Sequence, residues 1–411
     1  MLKVIETFSG IGAQAKALNN LECEYEIVFT ADWDITAIIA YDLIHNGEQK
    51  LGQYEKMSKE NLLKKISSYS FSLNGKDLAS KSSINRLSVE ILKRLNVAID
   101  RTKNLVNVQD ISGATLPNDI DVLTYSFPCQ DLSNAGSWHG NTGGINRDAK
   151  NRSSMLWEIE RILLERYNNK LELPRFLLME NVRSIKSKKH IDNFKEWQES
   201  LEGIGYYNKI YSLNSKDFGI PQNRERMFMV SFYVGNNCEL KNKIKSYLDK
   251  NNLKNLKCEM HHMKDFLKTD YRNTQYLNEA ILSNPNDTPS RKKIFENNIL
   301  IYDEQKYCDL VATLTTKQDR HPNSGVITFK GKKGKSQFRY LTPREAFLLM
   351  GFQEKDYQVL IDNNFSHRKN SMFFSLEKLH RLAGNSIVVN ILEEVFKQII
   401  YVKKNIYEIN D

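Results

Sequence analysis

Long hydrophobic runs are absent from this sequence of 411 residues. No stretch approaches the roughly 18 consecutive apolar residues of a membrane-spanning helix, so we expect no membrane partner. The amino terminus, MLKVIETFSGIGAQ, also lacks the basic start, apolar stretch and small-residue cleavage site of a signal peptide. The sequence therefore predicts a cytoplasmic protein.

Paired cysteines are also missing. The five cysteines are Cys23, Cys129, Cys238, Cys258 and Cys308, an odd number without a CxxC pair. This pattern argues against a disulfide framework and against a zinc ribbon. Cys258 lies near two adjacent histidines, but no fourth ligand is apparent, so no metal site is predicted.

Charge is abundant and unevenly distributed. Hydrophobic residues make up 40% of the chain and charged residues 27%, a composition that excludes disordered and fibrous classes. The net charge is +9, and the stretch 233–337 alone holds 19 basic and 12 acidic residues. This concentration favours a polyanionic partner, although a solvated lysine-rich surface would have the same composition.

The chain opens with alternating strand and helix patterns. Apolar runs at Leu2–Phe8 and Tyr25–Thr30 are each followed by helical spacing, at Ala13–Leu18 and Ile35–Ile44. Further buried strands are predicted at Asp121–Tyr125, Phe176–Met179 and Met227–Phe232. These patterns predict a doubly wound, Rossmann-like α/β sheet.

The remaining segments suggest additions to that sheet. Seventy-six residues separate Trp33 from Asp110, and they predict a helical insertion at 46–105 with helices at Glu60–Ile66 and Ile84–Ala98. The basic stretch 233–337 predicts a small domain made mainly of short strands and loops. We assign 338–379 to a connector and the remainder, 1–232 with 380–411, to the large domain. Helices are predicted at Pro343–Met350 and Asn390–Lys397.

Chemically useful residues follow several of the predicted strands. The turn Ser9–Gly12 after the first strand allows a ligand to approach the backbone, and Asp32 after the second could bind ribose hydroxyls. Such a glycine turn is more often purely structural, and the absence of GxGxxG disfavours a nicotinamide enzyme.

A thiol and a carboxylate follow two later strands. Cys129 lies in the motif Ser126-Phe-Pro-Cys-Gln, and Glu180 precedes Asn181 at the end of another strand. Together they form a plausible nucleophile and proton donor, although each motif alone would usually be a loop or a helix cap. Arg224 and Arg226 would project to the same side of a strand, toward a phosphate or a base carbonyl, unless they form a surface ion-pair network with Glu225.

The ordered blocks FSGIG, PCQ, ENV, QNRERMF, PREAFLLMGF and GNSIVVNILEEVF resemble those of bacterial DNA cytosine-5 methyltransferases of the restriction-modification type, and the matches extend over 4–396. The resemblance implies S-adenosylmethionine as cofactor, S-adenosylhomocysteine as product and duplex DNA as partner. The implied cofactor pocket consists of Phe8, Gly10, Gly12, Asp32, Trp33, Asp110, Ile111, Pro128, Leu156, Asn385 and Ser386. Asp32 departs from the glutamate that is commoner in the family.

The same resemblance assigns catalytic roles. Cys129 would attack carbon 6 of a flipped cytosine, while Glu180 would hold the ring at N3 and its exocyclic amine. Arg226 would contact the base oxygen, Arg224 the flanking backbone or the active loop, and Asn181 would brace the Pro-Cys turn. The residues implied at DNA are Gln130, Ser133, Arg152, Thr313 and Leu314, and the segment 233–337 would be the target-recognition domain that selects the DNA sequence.

Two other functions remain open. A tRNA cytosine-5 methyltransferase would share the catalytic set, although its usual Cys-Phe-Thr tripeptide is absent. A catalytically inactive DNA-binding regulator would not require Cys129, Glu180, Arg224 and Arg226 to be intact. We expect a monomeric enzyme, associated with the nucleoid through DNA and paired with an independently acting restriction endonuclease.

Overall fold

The computed structural model describes residues 1–128, 132, 145–147, 152–304, 306–368 and 371–408, without the side chains of residues 152 and 153. The chain divides into two compact units. The first comprises Met1–Leu213, Glu225–Asn255 and the segment from Leu392 to the carboxyl terminus, and the second comprises Asn214–Arg224 and Leu256–Ile391.

A six-stranded sheet, with the strand order β2-β1-β3-β4-β7-β5, forms the centre of the first unit. The strands are β1 (Leu2–Thr7), β2 (Tyr25–Ala31), β3 (Val122–Tyr125), β4 (Phe176–Val182), β5 (Tyr206–Asn214), β6 (Gln222–Asn223) and β7 (Glu225–Tyr233). Strands β1 to β4 run parallel, and β7 is antiparallel to β4. The predicted doubly wound α/β class is confirmed.

Burial explains why these segments form strands. All four residues of β3 are buried, as are the first four of β4, because both faces of a parallel sheet are covered by helices. The core includes Leu123, Leu177, Met179 and Met229. The strand order reverses beside β1, and ligands bind at the carboxyl ends of strands around such a point.

The first unit contains the helices predicted at 13–18, 35–44 and 60–66 and three helices that the sequence pattern did not predict, and it differs from the prediction at one place in the insertion. They are Ala13–Asn20, Ile35–Asn46, Lys59–Lys65, Lys81–Asn85, Val89–Thr102, Leu156–Asn168, Ile191–Gly203 and Cys238–Lys250. The helix predicted at 84–98 is two helices, because the Ser88 side chain accepts a hydrogen bond from the Ile91 N–H and begins a new helix there.

The second unit contains more helix than the sequence pattern suggested. Its helices are Met263–Phe266, Thr274–Leu282, Pro289–Glu296, Pro343–Leu348, Glu354–Asp362 and Leu376–Asn385, and a last helix, Val389–Val402, continues into the first unit. Two of them begin at Asn273 and Thr288, whose side chains accept from backbone N–H groups. Short polar helices of this kind have little apolar periodicity, which is why the pattern predicted loops.

Short strands complete the second unit. They are β8 (Leu300–Asp303), β9 (Lys306–Tyr307), β10 (Val311–Ala312), β11 (Val326–Thr328), β12 (Phe338–Arg339), β13 (Ser366–Arg368) and β14 (Ser371–Met372). Strands β12, β11, β8 and β9 form one sheet, and β10 pairs with β6.

The unit boundaries differ from the predicted domain boundaries at four places, of which the short segments 214–224 and 380–391 belong to the second unit instead of the predicted large domain. Residues 233–255 belong to the first unit, where Tyr247 stacks on Tyr401 with ring centroids 4.2 Å apart. The segment 338–379 belongs to the second unit, where β12 pairs with β11 and the buried Arg339 guanidinium donates to Glu345 at 2.8 Å. The selection of the DNA sequence by residues 233–337 remains a prediction.

In the described part of the chain, no helix is both long and apolar enough to cross a bilayer. Nor do those residues bring three or more potential metal ligands together.

Candidate active site

The glycine turn after β1 is bonded directly to the acid after β2. The Gly10 N–H donates to Asp32 Oδ2 at 2.8 Å, and the Asp34 N–H donates to Oδ1 at 2.8 Å. Gly10 has a φ of +55°, and no atom of the described residues lies within 4 Å of the position that a Cβ would take there. The turn therefore leaves open space beside the Asp32 carboxylate.

Three side chains support this turn from beneath. The Tyr41 hydroxyl donates to Glu6 Oε2 at 2.7 Å, and His45 Nε2 lies 3.0 Å from the carbonyl of Ile11. Gly12 has a φ of +75°, and a Cβ there would lie only 2.6 Å from the Tyr41 ring and would also collide with His45. Glycine is thus required at position 12 by close packing as well as by backbone conformation.

Glu6 is completely buried, and burial raises its pKa to about 7 even though the Tyr41 hydroxyl bond acts in the opposite direction. A protonated carboxyl is favoured at this site below neutral pH, because desolvation destabilises the charged form.

The other pocket residues of the first unit provide both polar and apolar contacts. Asp110 is exposed, whereas Ile111 is buried in the same apolar cluster as Leu156. Phe8 is half-buried against that cluster, and Pro128 is half-buried just after β3. Carboxylates for ribose and amine groups beside apolar side chains fit a nucleoside cofactor such as S-adenosylmethionine.

Trp33 is half-buried in the turn between β2 and the helix Ile35–Asn46. Asp34 caps that helix by accepting from the Thr36 N–H at 3.0 Å. The acid and the aromatic residue predicted at the cofactor are therefore consecutive residues in one tightly bonded turn.

Glu180, Asn181 and Arg226 come together at the carboxyl end of β4. Arg226 Nε lies 3.5 Å from Glu180 Oε1, and the two side chains are 16% and 12% exposed. The buried Asn181 amide donates to the carbonyl of Phe127 at 3.1 Å. This bond ties β4 to the backbone two residues before Cys129.

Cys129, Gln130 and Ser133 lie outside the described residues, as does the side chain of Arg152. The backbone of Arg152 begins a short 3-10 helix, Arg152–Met155. Leu132 is buried, and its carbonyl accepts from the Ser184 hydroxyl at 2.5 Å.

The predicted residues of the second unit also form a cluster. Arg224 is only 3% exposed, and its guanidinium donates to the carbonyls of Leu314 at 2.9 Å and Ser386 at 2.9 Å. The Thr313 hydroxyl donates to the carbonyl of Asn223 at 2.7 Å. Asn385 is exposed beside Ser386. Arg224 thus holds backbone within its own unit, whereas Arg226 contacts Glu180 in the first unit.

Sequence reasoning missed several contributors to these clusters. Gln222 accepts from the Leu314 N–H at 2.9 Å and donates to the carbonyl of Leu349, although only its motif was noted. Glu6 could have been found, because a charged residue inside the apolar run LKVIET is unusual. Tyr41 and His45 carry no such signal.

Comparisons of the sequence and of the structure with known proteins agree with one another. A family model described as C-5 cytosine-specific DNA methylase matches residues 68–401. The orphan methyltransferase M.SssI of Spiroplasma monobiae is 34% identical over 97% of both chains. The type II methyltransferase M2.ScrFI of Lactococcus lactis subsp. cremoris is 31% identical over 97% of this chain and 99% of its own. The S. pombe Dnmt2 methyltransferase shares the fold, with a TM-score of 0.59, 16% identity and coverage of 98% of this chain and 100% of that chain.

Proposed function

The chain belongs to the C-5 cytosine-specific DNA methylase family, and we propose that it methylates a cytosine flipped out of one short duplex DNA sequence through a covalent Cys129 adduct. DNA cytosine-5 methylation is the activity of this family. One observation carries the proposal: the Asn181 amide bonds the carbonyl of Phe127 beside the Glu180–Arg226 pair. The proposed nucleophile follows Phe127 by two residues in the sequence, so this bond supports an active site that combines Cys129 with Glu180.

Carbon 5 of cytosine is by itself a poor nucleophile, and Cys129 activates it. Addition of its thiolate forms a bond to carbon 6 of cytosine, and the ring becomes an enamine that is reactive at carbon 5. Bound S-adenosylmethionine would supply the methyl group as a sulfonium electrophile: carbon 5 would form the bond to the methyl group, the bond from methyl to sulfonium sulfur would break, and S-adenosylhomocysteine would leave. Loss of the carbon 5 proton then breaks the bond between carbon 6 and the Cys129 sulfur and regenerates the thiolate.

Glu180 stabilises the adduct by holding N3 and the exocyclic amine of the base and by supplying a proton at N3. Arg226, 3.5 Å from Glu180, is close enough to contact the base oxygen at the same time. Their partial burial strengthens both interactions, because fewer water molecules compete for these groups.

The glycine turn after β1 and the Asp32–Trp33 turn after β2 together hold the cofactor. Asp32 binds the ribose hydroxyls, Trp33 lies against the adenine, and Asp110 lines the same pocket. The open space beside Gly10 accepts the methionine portion, since no side chain of the described residues lies within 4 Å of the position that a Cβ would take there.

The second unit selects the DNA sequence, with Thr313 and Leu314 near the flipped nucleotide. Arg224 and Gln222 fix this element by bonding the Leu314 carbonyl and N–H, so we assign both a positioning role. The enzyme acts as a cytoplasmic monomer and as the modification partner of a restriction endonuclease. The type II name of one relative supports the last point.

Trapping on a modified substrate tests the covalent step. Duplex DNA of random sequence that carries 5-fluorocytosine is incubated with enzyme and S-adenosylmethionine, because fluorine blocks the final proton loss. We expect a denaturant-resistant complex with wild type and with Cys258→Ser, which alters an exposed thiol, and none with Cys129→Ser. An adduct with Cys129→Ser, or none with wild type, would contradict the mechanism.

A further inference from the structure

The insertion at 46–105 is hydrogen-bonded through Ser72 to the Asp32–Trp33 turn, which follows β2. The Ser72 N–H donates to the carbonyl of Trp33 at 2.8 Å, and the Ile35 N–H donates to the carbonyl of Ser72 at 3.2 Å. These two bonds form a parallel bridge between Asp34 and Ser72. Ser72 is completely buried, so water does not replace these bonds easily.

The loop that carries Ser72 has its own internal hydrogen bonds. The Ser72 hydroxyl donates to the carbonyl of Asp77 at 2.7 Å, and the Ala79 N–H donates to the carbonyl of Phe71 at 2.8 Å. Asn74 Oδ1 accepts from the N–H groups of residues 76 and 77. Phe71 is buried, which anchors the loop at its base. The loop therefore presents Ser72 in a defined position.

The end of the insertion reaches the same turn from β2. Asn104 is buried, and its Oδ1 accepts from the Asp32 N–H at 3.3 Å and from the Val106 N–H at 2.7 Å. The Leu105 N–H also donates to the carbonyl of Thr30 at 2.8 Å, so this segment extends along the end of β2.

The body of the insertion is fixed to the helix that starts at this turn. The helix Val89–Thr102 packs on Ile35–Asn46, and its residues Leu92 and Leu95 are buried. Arg101 lies 3.2 Å from the buried Asp42, which also accepts from Gln49 at 2.8 Å. The contacts of Ser72 and Asn104 with the turn are therefore made from an insertion that is itself packed against the helix Ile35–Asn46.

We propose that the insertion is a positioning element for the cofactor, with Ser72 and Asn104 as positioning residues that hold the Asp32–Trp33 turn. This inference rests on the proposed assignment of Asp32 and Trp33 to S-adenosylmethionine. Glu180 lies on β4, which β1 and β3 separate from β2 in the sheet, so a disturbed turn affects the cofactor more than the base.

Steady-state kinetics of the full chain test this role. Ser72→Pro removes the N–H that binds the Trp33 carbonyl, and Asn104→Ala removes the acceptor for the Asp32 N–H. Each should raise the KM for S-adenosylmethionine about tenfold, which is the scale of one buried hydrogen bond, with kcat and the KM for DNA within about twofold of wild type. Ser72→Ala keeps the backbone N–H, and Asn104→Asp keeps the acceptor oxygen. Both variants should therefore have a KM for S-adenosylmethionine close to that of the wild type.

Two further variants make the outcome decisive. Glu60→Ala changes an exposed side chain of the same insertion and should behave as wild type. Asp32→Ala should abolish measurable cofactor binding; if it binds normally, the proposed pocket is wrong. If Asp32→Ala fails to bind while Asn104→Ala keeps the wild-type KM, only the positioning role is overturned. Should Ser72→Pro not fold, the Asn104 pair decides the question.

Discussion

The Tyr41 hydroxyl lies 2.7 Å from the carboxyl of Glu6, in a completely buried site beneath the glycine turn. Because burial raises the pKa of Glu6 to about 7 from the ordinary 4.5, the folded chain keeps a proton there that the unfolded chain has lost. The free energy of unfolding should therefore fall between about pH 4.5 and 7 and level off above that range.

Glu6→Gln imitates the protonated carboxyl at every pH. We expect its stability relative to wild type to increase by roughly 3 kcal/mol between pH 4.5 and 8, from about 1.4 kcal/mol per pKa unit. Urea unfolding at several pH values measures this difference. Parallel pH profiles for the two proteins would mean that Glu6 is ionised in the folded state.

Two glycines of the turn should respond differently to substitution. Gly12→Ala forces a Cβ against Tyr41 and His45, so we expect a loss of at least about 2 kcal/mol in stability. Gly10→Ala meets open space, and only backbone strain of about 1–2 kcal/mol is expected, but the methyl group enters the cofactor region. Thermal unfolding and calorimetric titration with S-adenosylmethionine separate these effects. A folded Gly10→Ala with normal affinity would remove Gly10 from the pocket.

The parallel strands and the glycine turn were predictable from the sequence, because short apolar runs that end at glycine or at an acid have a local signal. Asp32 and Glu180 could therefore be assigned to strand ends from their neighbours along the chain. Asn104 and Ser72 could not be found in this way, since their partners are backbone groups distant in the sequence. A polar residue that bonds the main chain elsewhere has no periodicity to reveal it.

The unit boundaries depend on similarly distant contacts. The stacking of Tyr247 on Tyr401 assigns a basic helix to the first unit, although its composition resembles that of the second. Charge density predicted where polar surface concentrates, but it did not predict which core each helix would join.

The buried ion pair of the second unit gives a stability prediction. Arg339 and Glu345 are both fully buried, and Glu345 also accepts from the Thr342 N–H at 2.8 Å. Glu345→Gln leaves the arginine charge uncompensated and should cost about 3–5 kcal/mol in denaturant unfolding. The double variant Arg339→Met with Glu345→Gln should be less destabilised than Glu345→Gln alone. A greater loss in the double variant would show that the charges are not coupled.

A cluster of basic side chains follows β4, the strand that carries Glu180. Burial lowers the pKa of Lys186, and the neighbouring Lys254 and Arg183 lower it further. Phosphate would relieve this repulsion, so Lys186→Gln and Lys254→Gln should each weaken DNA binding and reduce the salt slope of the affinity by about 1. Fluorescence anisotropy at several salt concentrations measures both effects, with Lys59→Gln, exposed in the insertion, as the control. An unchanged slope would separate this cluster from the DNA path.

Methylation mapping tests the central claim most directly. DNA from cells that express the wild type is compared by bisulfite sequencing with DNA from cells that express Cys129→Ala. We predict that the wild type protects cytosines within one short sequence motif and that Cys129→Ala protects none. Protection scattered over all cytosines would contradict sequence choice, and unmodified DNA together with methylated RNA would contradict the assignment of DNA as substrate.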